Sequence, residues 1–583
     1  MIRRFLALLA AASLAVAPVA AAQETARTAR PSQRGLLEYP SIHHPVVSDG
    51  GMVASQDDQA SEAGAAVLRR GGNAVDAAVA TALVLAVTLP RAGNIGGDGF
   101  MVLHLADRNL TTSIDYRGVA PQAARLDMFL DAQGRENDAV SSVGWKAAAV
   151  PGTVAGLWLA HSKYGKRPWA ELVQPAVDIA EKGMLLSHDE SFAFDWGRER
   201  LSTSPQAKRT FYKADGGLYA PRERLRQPEL AWTLRQIQRG GADAFYRGPV
   251  AQRFAADMRA NGGLITLQDL ASYRAIERPP LVGTYRGLTV YTMAPASAGG
   301  ATLLQMLNVL ERFDLKALGV GSAQSLHLMA EAMKLAYADR YRFLGDPGFV
   351  RAPVRGFISK PYAAERAALI SADRARNTVE LMPAGDPWRF ESPSTTHFSV
   401  VDAQGNAVSN TYTLGSDFGS GVSVEGAGFL LNNQMNNFAH TDAAAAAAQG
   451  RPAPLNAMAG GKRMLSTMTP TMVFRDGKPW LVTGTPGGST IIDTILQIIV
   501  NVADHGLNVA EAVHQPRIFQ GAAPGPLNVE PNFNPDTIAL LKAKGHVVRP
   551  YETMGSAQSI VVENSRAYGA ADPRRPGALA VAP

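Results

Sequence analysis

The chain has 583 residues, 46% of them hydrophobic and 19% charged, with 55 Gly and 36 Pro. This balance describes a globular protein able to bury a large core and excludes global disorder and collagen-like repeats. The formal charge of +6 falls to +4 once Arg3 and Arg4 are removed with a leader, too small an excess to indicate nucleic-acid binding, and zero cysteines exclude disulfides, Cys-ligated metals and a Cys nucleophile.

Met1 to Arg4 is a short basic stretch followed by an apolar run from Phe5 through Ala17, and Ala20-Ala21-Ala22 supplies an A-x-A cleavage site before Gln23. Residues 1–22 therefore read as a bacterial signal peptide, and the mature protein is expected in the periplasm or outside the cell, with no membrane attachment once the signal is removed. Residues 23 to about 40 are a polar lead-in. The pattern predicts an amphipathic helix from Ser55 to Arg70, with acidic residues early and Arg69-Arg70 at its end as the helix dipole favours. Asn73 is placed to cap a helix from Ala74 to Val87 that is apolar on nearly every face and so should be buried. A glycine cluster, Gly93 to Gly99, precedes an alternating strand, Phe100 to Leu105. Residues 150 to 345 read mostly helical, including Leu326 to Phe343, and past residue 395 the period changes to strands. A long Gly/Pro/Ala-rich loop contains the low-complexity tract Ala443–Ala448.

No G-x-S-x-G, S-x-x-K, H-E-x-x-H, Walker loop or G-x-G-x-x-G is present. His43-His44 and His397 lack metal-like partners and read as structural histidines. The informative stretch is Ser394 to Thr413, two β-rich runs around Ala403-Gln404-Gly405, a three-residue hairpin loop. Pairing Asp402 with Asn406 brings Thr395 opposite Thr413, and a bulge would move that by one residue. A second hairpin runs from Thr471 to Arg475, through the type I′ dipeptide Asp476-Gly477, to Pro479–Thr483. It leads into Gly484-Thr485-Pro486-Gly487-Gly488-Ser489 and an apolar helix from Ile491 to Val502. Such a strand–turn–helix start presents backbone N–H groups that can hold an oxyanion, although an ordinary glycine-rich connection has the same local pattern.

Thr395-Thr396-His397-Phe398-Ser399-Val400-Val401-Asp402, Leu431-Asn432-Asn433-Gln434-Met435 and Pro486-Gly487-Gly488-Ser489 resemble the γ-glutamyltransferase (glutathione hydrolase) family. Further matching segments run from Gly93-Asn94-Ile95-Gly96-Gly97 to Gly569-Ala570-Ala571-Asp572-Pro573-Arg574, about the whole mature chain. The resemblance implies an α+β fold, the four-layer αββα sandwich of N-terminal-nucleophile hydrolases. It also implies self-cleavage between Ser394 and Thr395, giving a large fragment 23–394 and a small fragment 395–583 that remain one intertwined domain, a heterodimer of the protein's own pieces. Thr395 would then be the nucleophile with its own α-amine as general base. Thr413 would orient it, and the Gly487 and Gly488 N–H groups would form the oxyanion hole. No metal or organic cofactor is required, since protein groups fill every role.

By the same resemblance Arg117, Ser466 and Thr467 hold the α-carboxylate of a γ-glutamyl group, and Gln434 helps hold its α-ammonium. The chain departs from the family pattern where Gly415 stands at an asparagine position, Asn437 at an aspartate position, and Gly118 where a glutamate commonly follows the arginine. The implied activity is transfer of the γ-glutamyl group of glutathione and related small molecules to water or to amino acid and peptide acceptors. The loss of acid from the ammonium pocket leaves a glutaryl-type, cephalosporin-acylase-like amide acylase as the alternative. An uncleaved secreted binding protein is the alternative from outside enzymology.

Overall fold

The computed structural model describes residues 41–378, 394–440 and 454–583. The signal peptide and the Ala443–Ala448 tract fall outside them. No helix among the described residues is long and apolar enough to cross a membrane. The body of the fold, Pro45–Pro583, is built on two seven-stranded sheets.

One sheet orders its strands Leu579–Val581, Gly51–Ser55, Ser394–Asp402, Ala407–Gly415, Asp98–Leu105, Leu110–Tyr116 and Ile276–Arg278. The other runs Val46–Ser48, Arg566–Ala571, Gln558–Glu563, Lys478–Thr483, Thr471–Arg475, Leu288–Thr292 and Leu281–Tyr285. Met52, Ala54, Val102 and Val401 of the first meet Met472, Phe474, Val482 and Ile560 of the second in an apolar layer between them. Outside the first sheet pack Asp58–Arg69, Ala74–Thr88, Trp169–Lys182 and Pro228–Tyr246; outside the second pack Gly299–Leu310, Ala323–Phe343 and Ile491–Ala503. The result is the expected αββα sandwich.

Local chemistry explains where these elements start. Asp57 caps the first helix by accepting from the Ala60 N–H at 3.0 Å, and the Thr88 hydroxyl at the end of the next helix donates to the same Asp57 oxygen at 2.7 Å. Asn73 and Asp76 form a reciprocal capping box at the start of Ala74–Thr88. That helix is buried along its whole length, as its uniform apolarity predicts.

Several strands escape the periodicity. Gly51–Ser55 is buried on both faces, so it lacks the alternation that marks a half-exposed strand, and it occupies the residue assigned above to a helix start at Ser55. Leu281–Tyr285 and Leu288–Thr292 lie in a stretch read as mostly helical; their turn, Arg286-Gly287, has two positive φ values, 52° and 79°.

Asn73 also donates from Nδ2 to the Tyr164 carbonyl at 2.7 Å, joining two helices in the buried layer. Asn73→Ala removes the cap and that bond together and should destabilise the fold by about 1–3 kcal/mol. Urea midpoints of the two proteins measure this, and an unchanged midpoint would refute it.

Candidate active site

The two Thr-bearing strands are the third and fourth of the first sheet, so the site is held by ladders on both sides. The hairpin register is as expected from Thr396↔Tyr412 to Val401↔Ala407, but Ser394 pairs with Gly415. The shift falls at Thr395, the bulge position that the sequence left open. Thr395 therefore has no direct Cα partner on that strand, which corrects the simple opposite placement. The side chains still meet: Thr395 Oγ1 donates to Thr413 Oγ1 at 3.2 Å, and the Gly415 N–H donates to the same Thr413 oxygen at 2.8 Å.

Around this pair lies a small, half-open cavity of about 30 Å³ lined by Arg117, Thr395, Thr413, Gly415, Gln434, Asn437, Leu465, Ser466, Thr467, Met468 and Gly488. Every site residue expected from the sequence lines it except Gly487 and the cleavage-site Ser394. Gly487, at φ 130°, begins the short turn Gly488–Thr490 that feeds the helix Ile491–Ala503. Among the described residues, no carbonyl or side chain accepts from the Gly487 or Gly488 N–H. The turn is braced from outside by the Tyr337 hydroxyl, which donates to the Ser489 carbonyl at 2.8 Å.

Arg117 follows directly on the strand Leu110–Tyr116 and is the one charged residue among the described residues of the lining. Its Nε donates to the Met464 carbonyl at 3.2 Å and Nη2 to the Leu465 carbonyl at 3.3 Å, which ties the guanidinium to the segment carrying Ser466 and Thr467. Its Nη1 donates to Asp98 Oδ1 at 2.6 Å, while Asp98 Oδ2 accepts from the Gly118 N–H at 2.8 Å. Burial holds the Asp98 carboxyl above its ordinary range, with the Arg117 guanidinium and the Gly118 N–H opposing that rise in part and the nearby Asp115 adding to it. Sequence reasoning missed Asp98. The signal was the acid interrupting Gly96-Gly97-Asp98-Gly99, which the sequence shows only as part of a glycine cluster.

The other wall carries neutral amides. Asn437 Nδ2 donates to Gln434 Oε1, and the Asn456 side chain donates to the Asn437 carbonyl at 2.5 Å. Gly415 has φ 101°, and a Cβ there would overlap Asn433 Oδ1, so no asparagine fits this position as the chain stands. The site thus offers a hydroxyl pair, backbone N–H donors and a fixed guanidinium around one half-open pocket. That set suits attack on an amide carbonyl whose acyl chain ends in a carboxylate.

Among the described residues, His327, Glu331 and His546 are the group that could hold a metal ion, and they lie away from this cavity. His327 Nδ1 faces His546 Nε2 at 2.8 Å, and the Lys334 ammonium occupies Glu331 Oε1 at 2.6 Å, a cation where a metal would need an anion. His397 is a structural histidine, as expected: Nδ1 meets Thr411 Oγ1 at 2.8 Å and Nε2 meets Ser399 Oγ at 3.0 Å.

The family model for gamma-glutamyltranspeptidase matches residues 60–582. The chain belongs to this family. It is 47% identical over 544 residues to the glutathione hydrolase proenzyme of Escherichia coli, covering 91% of this chain and 92% of that one. It is 43% identical over 535 residues to the glutathione hydrolase proenzyme of Pseudomonas aeruginosa, covering 91% and 94%. Among solved structures, the cephalosporin acylase of Bacillus halodurans superposes with a TM-score of 0.82 at 27% identity, covering 94% of this chain and 98% of that one. This gamma-glutamyltranspeptidase family member is an enzyme of the γ-glutamyltransferase and glutathione hydrolase class.

Burial lowers His397 from its ordinary 6.5 to about 3, so the folded chain refuses a proton that the unfolded chain accepts between those values. Its contribution to stability is complete above pH 6.5 and is lost as pH falls, by about 1.4 kcal/mol per unit. The stability gap between the wild type and His397→Gln should therefore shrink from pH 7.5 to pH 4.5 in urea titrations; a gap that stays constant would contradict this.

Proposed function

We propose that the chain is an exported, self-cleaving threonine enzyme that transfers γ-glutamyl groups to water or to small amine acceptors. The contact that carries this reading is Thr395 Oγ1 to Thr413 Oγ1 at 3.2 Å, beside unclaimed backbone donors and a fixed arginine in one cavity. The leader-like residues 1–22 support export to the periplasm or beyond, and the proenzyme names of the two relatives support processing.

In the uncut chain the Thr395 hydroxyl attacks the Ser394 carbonyl, and the ester formed is hydrolysed. This releases fragments 23–394 and 395–583 and frees the Thr395 α-amine. An α-amine titrates near ~7.7–8, so at neutral pH it accepts the hydroxyl proton with little tuning. Thr413, its oxygen fixed by the Gly415 N–H, orients the Thr395 hydroxyl toward the substrate carbonyl. The Gly487 and Gly488 N–H groups receive the developing oxyanion, a kind of donor worth ~3–4 kcal/mol. Arg117, Ser466 and Thr467 take the α-carboxylate, while Gln434 and Asn437 offer amide oxygens to the α-ammonium beside Gly415. The protonated amine then protonates the leaving amine, and water or an acceptor amine discharges the acyl-enzyme.

A glutaryl-type acylase is the second reading, favoured by a lining that, among the described residues, contains Arg117 and no carboxylate. The 47% and 43% identities to glutathione hydrolases, against 37% to an acylase ACY 1 proenzyme of a Pseudomonas, weigh for γ-glutamyl transfer.

Intact-mass analysis should show two fragments parted at Thr395 in the wild type and one chain in Thr395→Ala, which should also release no aniline from γ-glutamyl-4-nitroanilide. Efficient cutting of Thr395→Ala would overturn the shared-nucleophile mechanism, and an uncut wild type would support the binding-protein alternative. Thr413→Ala should lower kcat by about 10–1000-fold with little change in KM, because it loosens the nucleophile rather than the acyl pocket. Thr413→Ser should recover most of that loss; an unaffected Thr413→Ala would remove the orienting role.

A further inference from the structure

We propose that Asp98 is a specificity-determining carboxylate, which sets the charge of the acyl-donor pocket so that it selects an acyl group carrying both an α-carboxylate and an α-ammonium. This rests on the γ-glutamyl reading above and extends it to a residue outside the cavity lining.

Asp98 opens the strand Asp98–Leu105 and pairs with Thr413 across the ladder, so it sits on the strand next to the catalytic hairpin. It is fully buried. Both carboxylate oxygens accept, one from Arg117 Nη1 at 2.6 Å and one from the Gly118 N–H at 2.8 Å, the acceptor-only pattern of an ionised acid. The cavity therefore has a cation in its wall and a carboxylate directly behind that cation, with no acid among the described lining side chains.

The consequence is one of charge balance in a partly buried site. A glutaryl group brings one negative charge, and against Arg117 alone it would be matched. Against the neutral Arg117–Asp98 pair it leaves the site with an uncompensated anion, which low-dielectric surroundings penalise. A γ-glutamyl group brings a carboxylate and an ammonium, adds no net charge and leaves the site neutral. Asp98 thus turns a pocket suited to a monoanion into one suited to a zwitterion, although position 437 carries a neutral amide.

Gly118 supplies the matched control. A Cβ on Gly118 would lie 2.6 Å from Asp98 Oδ2, so a side chain there and the Asp98 carboxylate compete for one space. A carboxylate introduced at 118 can take over only when Asp98 is removed.

The experiment measures kcat/KM for γ-glutamyl-4-nitroanilide and glutaryl-4-nitroanilide on the processed wild type, on Asp98→Asn, and on the double variant Asp98→Gly with Gly118→Glu. The expected result is that Asp98→Asn shifts the ratio of the two donors at least tenfold toward glutaryl, and that the double variant restores at least half of the shift on a logarithmic scale. Equal losses on both donors would mean that Asp98 only holds Arg117 in place, and would overturn the proposal, as would a cut and active double variant with no recovery. Inhibition of the wild type needs no variant: L-glutamate should bind at least tenfold tighter than glutarate, and the reverse order overturns the proposal even if the variants fail to fold. A processed wild type inactive on γ-glutamyl-4-nitroanilide would instead sink the γ-glutamyl reading on which the proposal rests.

Discussion

The hydrogen bond from the Gly415 N–H to Thr413 Oγ1 is the small interaction on which the candidate site turns. It takes up one lone pair of the Thr413 hydroxyl and fixes that oxygen in space, so the Thr395 hydroxyl meets a stationary acceptor. Two features make this possible. The bulge at Thr395 offsets that residue from the regular register, and Gly415 adopts a positive φ that an asparagine could not take beside Asn433. A perfect ladder would place Thr395 in ordinary register and lose the offset geometry.

The fold around that hairpin acts as a vice. Its two strands are flanked by Gly51–Ser55 on one side and Asp98–Leu105 on the other. From the facing sheet, the Thr471 N–H donates to Ser409 Oγ at 3.0 Å, and Ser409 Oγ donates to the Thr483 carbonyl at 3.0 Å. Ser399 Oγ donates to the Gln558 carbonyl at 2.8 Å. These polar stitches fix the relative position of the two sheets more sharply than apolar packing alone, which has no directional preference. The turn carrying Gly487 and Gly488 belongs to one sheet and the Thr395–Thr413 pair to the other, so their separation is set by this interface.

Much of the local structure was legible in the sequence because local chemistry decides it. Asn73 with Asp76, Asp476-Gly477 and the loop Ala403-Gln404-Gly405 each carry their own instruction. The register of the Thr395–Thr413 hairpin followed from its loop, and the bulge could be anticipated but not placed. Fully buried Gly51–Ser55 was hidden because a strand covered on both faces has no alternation to read. Leu281–Thr292 was hidden because two five-residue strands among long helices barely disturb the helical period. The membership of the site came from motifs, whereas the Arg117–Asp98 pair needed the third dimension: 19 residues separate them in sequence, and only the ladder between Asp98–Leu105 and Leu110–Tyr116 brings them together.

The order of strands has one more consequence. Gly51–Ser55 lies between Leu579–Val581 and Ser394–Asp402, and Leu288–Thr292 pairs with Thr471–Arg475 in the other sheet. A cut before Thr395 would therefore yield two polypeptides woven through each other in both sheets, with a strand of one enclosed by strands of the other. Pulling them apart would require unzipping several ladders at once and exposing both helical cores. Such a pair cannot swap partners with its neighbours in solution, so a molecule would keep for life the half it was born with.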